Sequence, residues 1–369
     1  MIRYFKVNDP YRLLAVLVFL VVTRTIAFVL ENPFLLLHTE SETMGTAINN
    51  GAFFVEGIST NAGPLYYYLY AALTFFTANT ELLSVILATS LIMVQAFLLN
   101  AILIRSAALN DNTYLPAIIY TFLLSSSPEF LFLSPELLSV TFVLLGLNFL
   151  FTHLKYRGTE ENIISTGFMF GIAALFTKPV FLLLLFIFLI YLLYSSTLTR
   201  RYFLMTFGFF LPFIVVWIYF LWNGVGADFW NNYFSEIIHL SSRHLIGGNN
   251  LLIWLGFPAL LALITAAQNF TGIGMTNNQI QIQRSMLWLA IFGGVLFLVS
   301  ANGSFSEWIL IIPVMTYFIA MFLNSVEKPW MGELFFQVLL WGSIYFLLTP
   351  LIDQAFYVLD ISGLIPPAF

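Results

Sequence analysis

Residues 82–104 read LLSVILATSLIMVQAFLLNAILI and contain no charged side chain. An α-helix needs about 20 consecutive apolar residues to cross the hydrocarbon core of a bilayer, so this segment alone is long enough to span a membrane. Uncharged runs of comparable length recur at 179–199, 202–227 and 334–352. They lack the alternation of apolar and polar residues that is typical of an outer-membrane barrel. The runs therefore predict an all-α, polytopic transmembrane helical bundle.

The composition of the whole chain supports the same class. Of 369 residues, 60% are hydrophobic and 8% are charged, whereas an ordinary soluble domain carries about 25% charged residues. The sequence contains no cysteine, which excludes disulfides and cysteine-based metal sites. The net charge of -5 is spread thinly and predicts no nucleic-acid partner. We expect one transmembrane domain, residues 1–369, without a separate soluble domain.

The thirteen Lys and Arg residues predict the orientation, because positive charge is retained on the cytoplasmic side of a membrane. Three of them precede the first apolar run, so we expect a cytoplasmic N-terminus. Alternating crossings then place ten of the thirteen in the cytoplasm, the exceptions being Arg24, Lys178 and Arg243. The last crossing leaves the C-terminus outside. The eleven predicted spans are 13–30, 82–104, 114–127, 133–152, 162–177, 179–197, 203–222, 251–267, 285–301, 308–324 and 333–350.

The first outer segment, 31–63, is polar, and the Tyr-rich run 64–77 that follows it is short for a full span. We interpret 64–77 as a helix in the outer interface, where Tyr favours the headgroup level. A true crossing there would invert every later helix and move most basic residues outside. The segment 223–250 is the second outer loop, and the amide-rich 268–284 is expected to be a cytoplasmic linker.

Chemistry must come from the outer loops and from the few charges at membrane depth, because such charges are costly and usually pair or line a cavity. Glu40 and Glu42 lie two residues apart just outside the first helix, and either carboxylate can serve as a general base. The alternative is a solvated loop that merely ends the helix, which the spacing alone favours. His38 and Glu42 could ligate a divalent ion, although four residues in a loop is weak support.

The basic residues predicted outside suit an anionic ligand. Lys178 ends a helix at the outer face, where it either binds an anion or extends to lipid headgroups. Arg243 and His244 lie in the second outer loop, where a guanidinium suits phosphate but can equally be an ordinary surface group. Arg24 falls about two-thirds of the way through the first span and could pair with an acid, such as Glu129 or Glu136.

Four segments within about 10–200 carry a family resemblance: Ser41-Glu42, Gly63-Pro64-Leu65-Tyr66-Tyr67, the turn 125–136 and the stretch from Gly171 to Pro179. They resemble the GT-C superfamily of membrane glycosyltransferases, which includes protein O-mannosyltransferases and the aminoarabinose transferase of lipid A. Two departures are that Ser41 and Gly63 replace an acid and a proline of the family pattern. The segment 304–308 also lacks the basic residue that often precedes a later proline-containing span. The chain is similar as well to inner-membrane proteins of the Bacteroidota.

The resemblance implies a GT-C-like half at 1–200, with additional transmembrane helices at 201–369. It also implies an enzyme of the bacterial inner membrane that moves a sugar from a polyprenyl-phosphate donor to an envelope acceptor. Glu42 would be the base, with Glu40 second. The lipid-linked sugar substrate would bind near Lys178, Arg243, His244, Tyr66 and Tyr67, and a divalent metal is a possible cofactor.

Two other classes stay open. The chain could be a non-catalytic subunit that retains the fold and scaffolds an envelope or secretion complex with protein partners and membrane lipids. A transporter would need polar residues or broken helices near mid-membrane. The spans 179–197 and 203–222 are apolar throughout, which counts against a transporter.

Overall fold

A computed structural model describes residues 1–7, 9–29, 35–53, 61–77, 79–156, 160–195, 199–235, 248–299 and 305–361 of the chain. These residues form helices, short 3-10 turns and connecting segments, without a β-strand in the described ranges. The all-α prediction is therefore confirmed. The helices are α1 Ile2–Lys6, α2 Leu13–Val29, α3 Leu35–Asn49, α4 Pro64–Phe76, α5 Thr80–Arg105, α6 Leu115–Ser125, α7 Pro135–Tyr156, α8 Glu160–Phe176, α9 Leu183–Tyr194, α10 Thr199–Trp222, α11 Gly226–Ser235, α12 Gly248–Gln268, α13 Asn277–Val299, α14 Ile312–Ser325 and α15 Pro329–Ile361.

Seven helical segments of the described chain are long and apolar enough to cross a membrane, which makes this a multi-pass membrane protein. Each of the eleven predicted spans overlaps an α-helix within the described residues. Several of these helices, such as α6 and α9, are shorter than a full crossing, so the count of eleven stays a prediction. The seven segments are Pro10–Val29, Thr80–Arg105, Pro135–Tyr156, Thr199–Trp222, Asn277–Leu298, Trp308–Ser325 and Pro329–Leu348.

The first predicted outer loop contains a helix, α3, that the polar sequence did not reveal. It packs alongside the expected short helix α4, and the two run in the same direction. Ser41, midway along α3, meets Tyr66 in the first turn of α4, at 2.9 Å between hydroxyl oxygens. At the last residue of α3, the Asn49 side-chain amide donates to the carbonyl of Ala71, further along α4, at 3.0 Å. The pairing with α4 explains how so polar a segment becomes helical, because packing can outweigh weak local preference.

Helices α8 and α10 pack at backbone distance through small residues. Gly167 and Gly171 are four residues apart on α8, and a Cβ on either would lie 2.2 Å from a carbonyl oxygen of α10. Gly208 of α10 makes the same close approach from the other side, since a Cβ there would lie 2.4 Å from the carbonyl oxygen of Ile164 on α8. Such small-residue spacing lets membrane helices approach closely and pack by van der Waals contact.

A polar group also joins three helices inside the bundle. The Gln95 amide of α5 donates to the Leu137 carbonyl at 2.6 Å and to the Thr141 hydroxyl at 2.8 Å, both on α7. The Tyr120 hydroxyl of α6 donates to the Gln95 side-chain oxygen at 2.9 Å. Because water is excluded from the hydrocarbon region, these bonds satisfy polar groups that would otherwise be costly there.

One end of the bundle gathers the segments predicted to be cytoplasmic, and we call it the N-terminal end. The amide-rich segment 268–284, expected to be a linker, instead leads into α13 and contacts the segment after α5. Four contacts define this end: the terminal amine of Met1 pairs with Glu333 at 2.7 Å, Tyr114 N–H donates to Phe5 O at 2.9 Å, the Asn278 amide donates to Ser106 O at 2.7 Å, and Lys155 Nζ donates to Arg105 O at 2.7 Å.

Candidate functional site

At the opposite end, a short β-bridge joins two of the segments that carry the family resemblance. Ala62 pairs with Thr177 in antiparallel fashion. Gly63 N–H donates to the Phe176 carbonyl at 2.8 Å, and Lys178 N–H donates to the Asn61 carbonyl at 2.8 Å. The bridge holds the segment before α4 against the end of α8. We call this region of the bundle the cavity end.

The bridge requires glycine at position 63. A Cβ built on Gly63 would lie 2.1 Å from the Leu175 carbonyl oxygen, far inside van der Waals contact. The φ of Gly63 is -96°, which any residue can adopt, so the requirement is one of space. Pro64 follows at the first turn of α4, where its missing N–H costs nothing. Gly63 thus allows the backbone to approach α8 closely, and Pro64 begins α4 at the next residue.

A cavity with about 330 Å³ of empty volume, counting its open mouth, lies beside the bridge. Most of its wall is apolar, as in typical ligand sites, with a few polar groups that converge. The Thr177 hydroxyl is buried and has no hydrogen-bond partner in the described part of the chain. An orphaned buried hydroxyl on a cavity wall is an available donor and acceptor for a ligand. The lining residues are Asn61, Glu136, Ser139, Thr177, Pro179, Val180, Leu296, Ile309 and Leu310.

The acid of the cavity is Glu136, in the first turn of α7. It is 9% exposed, and its carboxyl group interacts with the Ser134 side chain. The free N–H groups at a helix N-terminus favour a carboxylate there. Ser139 lies one turn further along and donates to the Ala173 carbonyl of α8 at 3.0 Å, which fixes α7 against α8 beneath the acid.

Glu42, the predicted base, lies on α3 and is half-buried. Its Oε1 accepts a hydrogen bond from the Thr80 hydroxyl at 3.1 Å, at the first residue of α5. Glu42 is not among the residues that line the described cavity. Glu40 and His38 also fall on α3, but their side chains lie outside the described structure. The catalytic roles of Glu42 and Glu40 stay predictions.

Of the residues predicted to bind phosphate, the structure describes Lys178 but neither Arg243 nor His244. Lys178 is 5% exposed and begins the 3-10 turn Lys178–Leu182, between the cavity residues Thr177 and Pro179. Arg243 and His244 lie in 236–247, outside the described residues. A shared site for Lys178 and Arg243 therefore stays a prediction.

The two predicted aromatic ligands belong to the packed wall of the cavity end. The Tyr66 hydroxyl donates to the Leu133 carbonyl at 2.9 Å and contacts the Ser41 hydroxyl, so it joins α4 to α3 and to the segment before α7. Burial raises the pKa of Tyr66 well above its usual value, which keeps it neutral. Tyr67 is buried in the same apolar cluster. Substrate binding by either residue stays a prediction.

Arg24 does not make the expected pair with a carboxylate. Its side chain is 2% exposed, and Nη1 donates to the backbone carbonyl of Phe130. Nε and Nη2 have no hydrogen-bond partner within the described ranges. The Arg24 guanidinium is therefore bonded to the Phe130 carbonyl, next to Glu129 in the chain, and not to the carboxylate of Glu129 or Glu136.

The described residues contain no group of three or more His, Asp or Glu side chains that could hold a metal ion. No protein-family model matches the chain, and no curated protein shows significant sequence similarity to it. The site must therefore be judged from its own geometry. The sequence predicts Glu136 only as a possible partner of Arg24, and it assigns none of Asn61, Ser139 and Thr177 to a binding site. The quoted motif that ends in Thr177-Lys178-Pro179 was the available signal.

Proposed function

We propose that the chain is a GT-C-like glycosyltransferase that moves a sugar from a polyprenyl-phosphate donor to an envelope acceptor. The observation that carries the proposal is the cavity that Glu136 and Thr177 both line, where the Thr177 hydroxyl has no hydrogen-bond partner among the described residues. The buried acid and the Thr177 hydroxyl can bind the polar sugar of a substrate, and the largely apolar wall suits its apolar chain.

The proposed reaction exchanges one bond to the sugar for another. The acceptor hydroxyl attacks the sugar carbon, its proton passes to the Glu136 carboxylate, and the bond from that carbon to the phosphate oxygen breaks. The products are the glycosylated acceptor and polyprenyl phosphate. The leaving phosphate gains negative charge, which a nearby cation stabilises. Lys178 follows Thr177 directly in the chain and is the cation proposed for this role.

Glu136 is preferred to Glu42 as base because it lines the cavity, whereas Glu42 is bonded to Thr80 on α5. The resemblance favours Glu42, and the cavity favours Glu136. The change Glu136→Gln preserves size and removes basicity, so the two acids can be compared directly with Glu42→Gln.

The proposed setting is the bacterial inner membrane, with eleven crossings and a cytoplasmic N-terminus. Its support is that segments expected in the cytoplasm meet at the N-terminal end, while 61–63 and 176–178, both expected near the outer face, meet at the cavity end. Because the native chain has no cysteine, Thr43→Cys and Glu161→Cys can report sidedness in intact cells. An impermeant thiol reagent should modify the first and not the second, and the reverse pattern would refute this orientation.

The function itself is tested with purified full-length protein, envelope acceptor extract and polyprenyl-phosphate-linked radioactive sugars. We expect transfer of label to the acceptor and release of polyprenyl phosphate. If the Glu136→Gln variant binds the donor but neither transfers label nor releases polyprenyl phosphate, the result would support the proposal. Native protein that binds no polyprenyl phosphate but purifies with a stoichiometric protein partner would instead favour the scaffold or subunit class.

A further inference from the structure

The N-terminal end of the bundle has a cleft between α5 and α7 that the proposed reaction does not use. Its empty volume, which includes the open solvent at its mouth, is about 210 Å³. Its two cations come from the last turns of the two helices, Arg105 from α5 and Lys155 from α7. The remaining lining residues are Ile102, Ser106, Asn148, Phe151, Thr152 and Tyr156.

The two cations keep most of their hydrogen-bonding capacity for a ligand. Lys155 Nζ donates to the Arg105 carbonyl at 2.7 Å, and Arg105 Nη1 donates to the Asn148 side chain at 3.4 Å. An ammonium group has three donors and a guanidinium has five. Among the described residues, ion pairs join Met1 to Glu333 and Arg200 to Glu160, and neither includes Arg105 or Lys155.

The position of each cation has one ordinary explanation. Both lie at helix C-termini, where unsatisfied carbonyl groups favour positive charge. That effect accounts for a cation on each helix. It does not account for their convergence on one cleft, beside the Asn148 side-chain amide. The Thr152 hydroxyl donates to the Asn148 carbonyl at 2.7 Å and the Ser106 hydroxyl to the Leu103 carbonyl at 3.4 Å, so the two cations carry the argument. An ammonium and a guanidinium that converge are groups that proteins use to bind phosphate.

The cleft also lies where membrane phosphates are found. It sits at the ends of α5 and α7, both of which are apolar enough to cross the bilayer, so its mouth falls near the headgroup level. Tyr156 is 66% exposed beside it, as is typical of an interfacial aromatic residue. We propose that this cleft binds a phosphate group, supplied by the headgroup of an anionic phospholipid.

The test uses the full-length protein in phosphatidylcholine nanodiscs, with lipid binding followed by native mass spectrometry. Phosphatidylglycerol should bind more tightly than phosphatidylcholine with the same acyl chains. Each of Arg105→Gln and Lys155→Gln should weaken the phosphatidylglycerol preference about fivefold, and the double variant should nearly abolish it. Arg200→Gln, which removes an exposed cation outside the cleft, is the matched control and should keep the preference.

Two further arms complete the test. Inorganic phosphate that displaces phosphatidylglycerol at millimolar concentration would identify soluble phosphate as a second source, and failure to displace it would assign the site to lipid. Should the double variant not fold, the two single variants and the charge-preserving Arg105→Lys decide. A full preference for phosphatidylglycerol in both single variants, or equal binding of the two lipids by the native chain, overturns the proposal.

Discussion

The two ends of this bundle use charged residues in opposite ways. At the cavity end, Glu136 and Lys178 are almost completely buried, at 9% and 5% exposure, and a β-bridge holds their segments together. At the N-terminal end, the Met1 amine and Glu333 form an ion pair with side-chain exposures of 65% and 34%, and the basic cleft is open. One end encloses its charges, and the other presents them to solvent and headgroups.

The difference matters because the same charge has a different energetic weight at each end. A buried ionisable group costs free energy unless a partner or a function compensates it. Exposed pairs contribute little, since water and salt screen them. We therefore expect substitutions at the cavity end to affect function and stability strongly, and substitutions at the N-terminal end to have small, separable effects.

The largest effect is expected from Glu136→Gln. Loss of a general base should reduce sugar transfer by roughly 10²–10⁴-fold while donor binding stays close to that of the native protein. Glu42→Gln should have a much smaller effect, because that side chain is bonded to Thr80 and does not line the cavity. The transfer rates of the two variants give the comparison. An abolished rate in Glu42→Gln with a normal rate in Glu136→Gln would restore Glu42 as the base.

The second-largest effect is expected from Gly63→Ala, which disturbs the β-bridge between Ala62 and Thr177. Gly63→Ala places a methyl group 2.1 Å from the Leu175 carbonyl oxygen, so the bridge must separate, at a cost of about 1–3 kcal/mol. The melting temperature in detergent should fall, and transfer should fall with it. Gly256→Ala is the control, because a Cβ there meets no atom within 4 Å. Equal melting temperatures for Gly63→Ala and the native protein would show that the close approach is absent.

The bundle interior should give an intermediate effect. Gln95→Leu removes the amide that bonds to Leu137 and Thr141 and leaves the Tyr120 hydroxyl without its acceptor. Interhelical polar contacts in membranes contribute roughly 0.6–2 kcal/mol, so a modest loss of thermal stability is expected. Sugar transfer by the folded fraction should be normal. A loss of transfer without a loss of stability would mean that Gln95 affects the cavity.

The smallest effect is expected from Glu333→Gln at the N-terminal end. The variant loses the ion pair with the terminal amine, and an exposed pair contributes about 0–1 kcal/mol. Its melting temperature should match that of the native protein at high salt, where the pair is screened. A fall as large as that of Gly63→Ala would remove the contrast between the two ends.

Much of the fold could be predicted because membrane solubility imposes a simple rule on composition. The uncharged run 82–104 became the long helix α5, and the Tyr-rich run after Gly63 became the short helix α4. Helix α3 could not be predicted in the same way, since its stability comes from contact with α4 rather than from its own polar residues.

The site was less accessible to sequence reasoning. The motifs identified the two segments that form the bridge, but only the folded chain shows that 61–63 touches 176–178. The sequence predicts Glu136 only as a possible partner of Arg24, and no local pattern distinguishes an acid that lines a cavity from one that caps a helix. Glu42 had the stronger sequence signal, yet it lies against α5.

The most direct test of the cavity as the substrate site is the reactivity of Thr177→Cys in the naturally cysteine-free chain. The Thr177 hydroxyl makes no hydrogen bond to the described residues, so the change removes no side-chain hydrogen bond among them. We expect N-ethylmaleimide to modify this cysteine slowly in the free protein, and saturating polyprenyl phosphate to suppress the modification. Thr46→Cys, on the exposed face of α3, should react equally with and without the lipid. Modification of Thr177→Cys at an unchanged rate in the presence of polyprenyl phosphate, or no modification at all in its absence, would contradict a substrate site in this cavity.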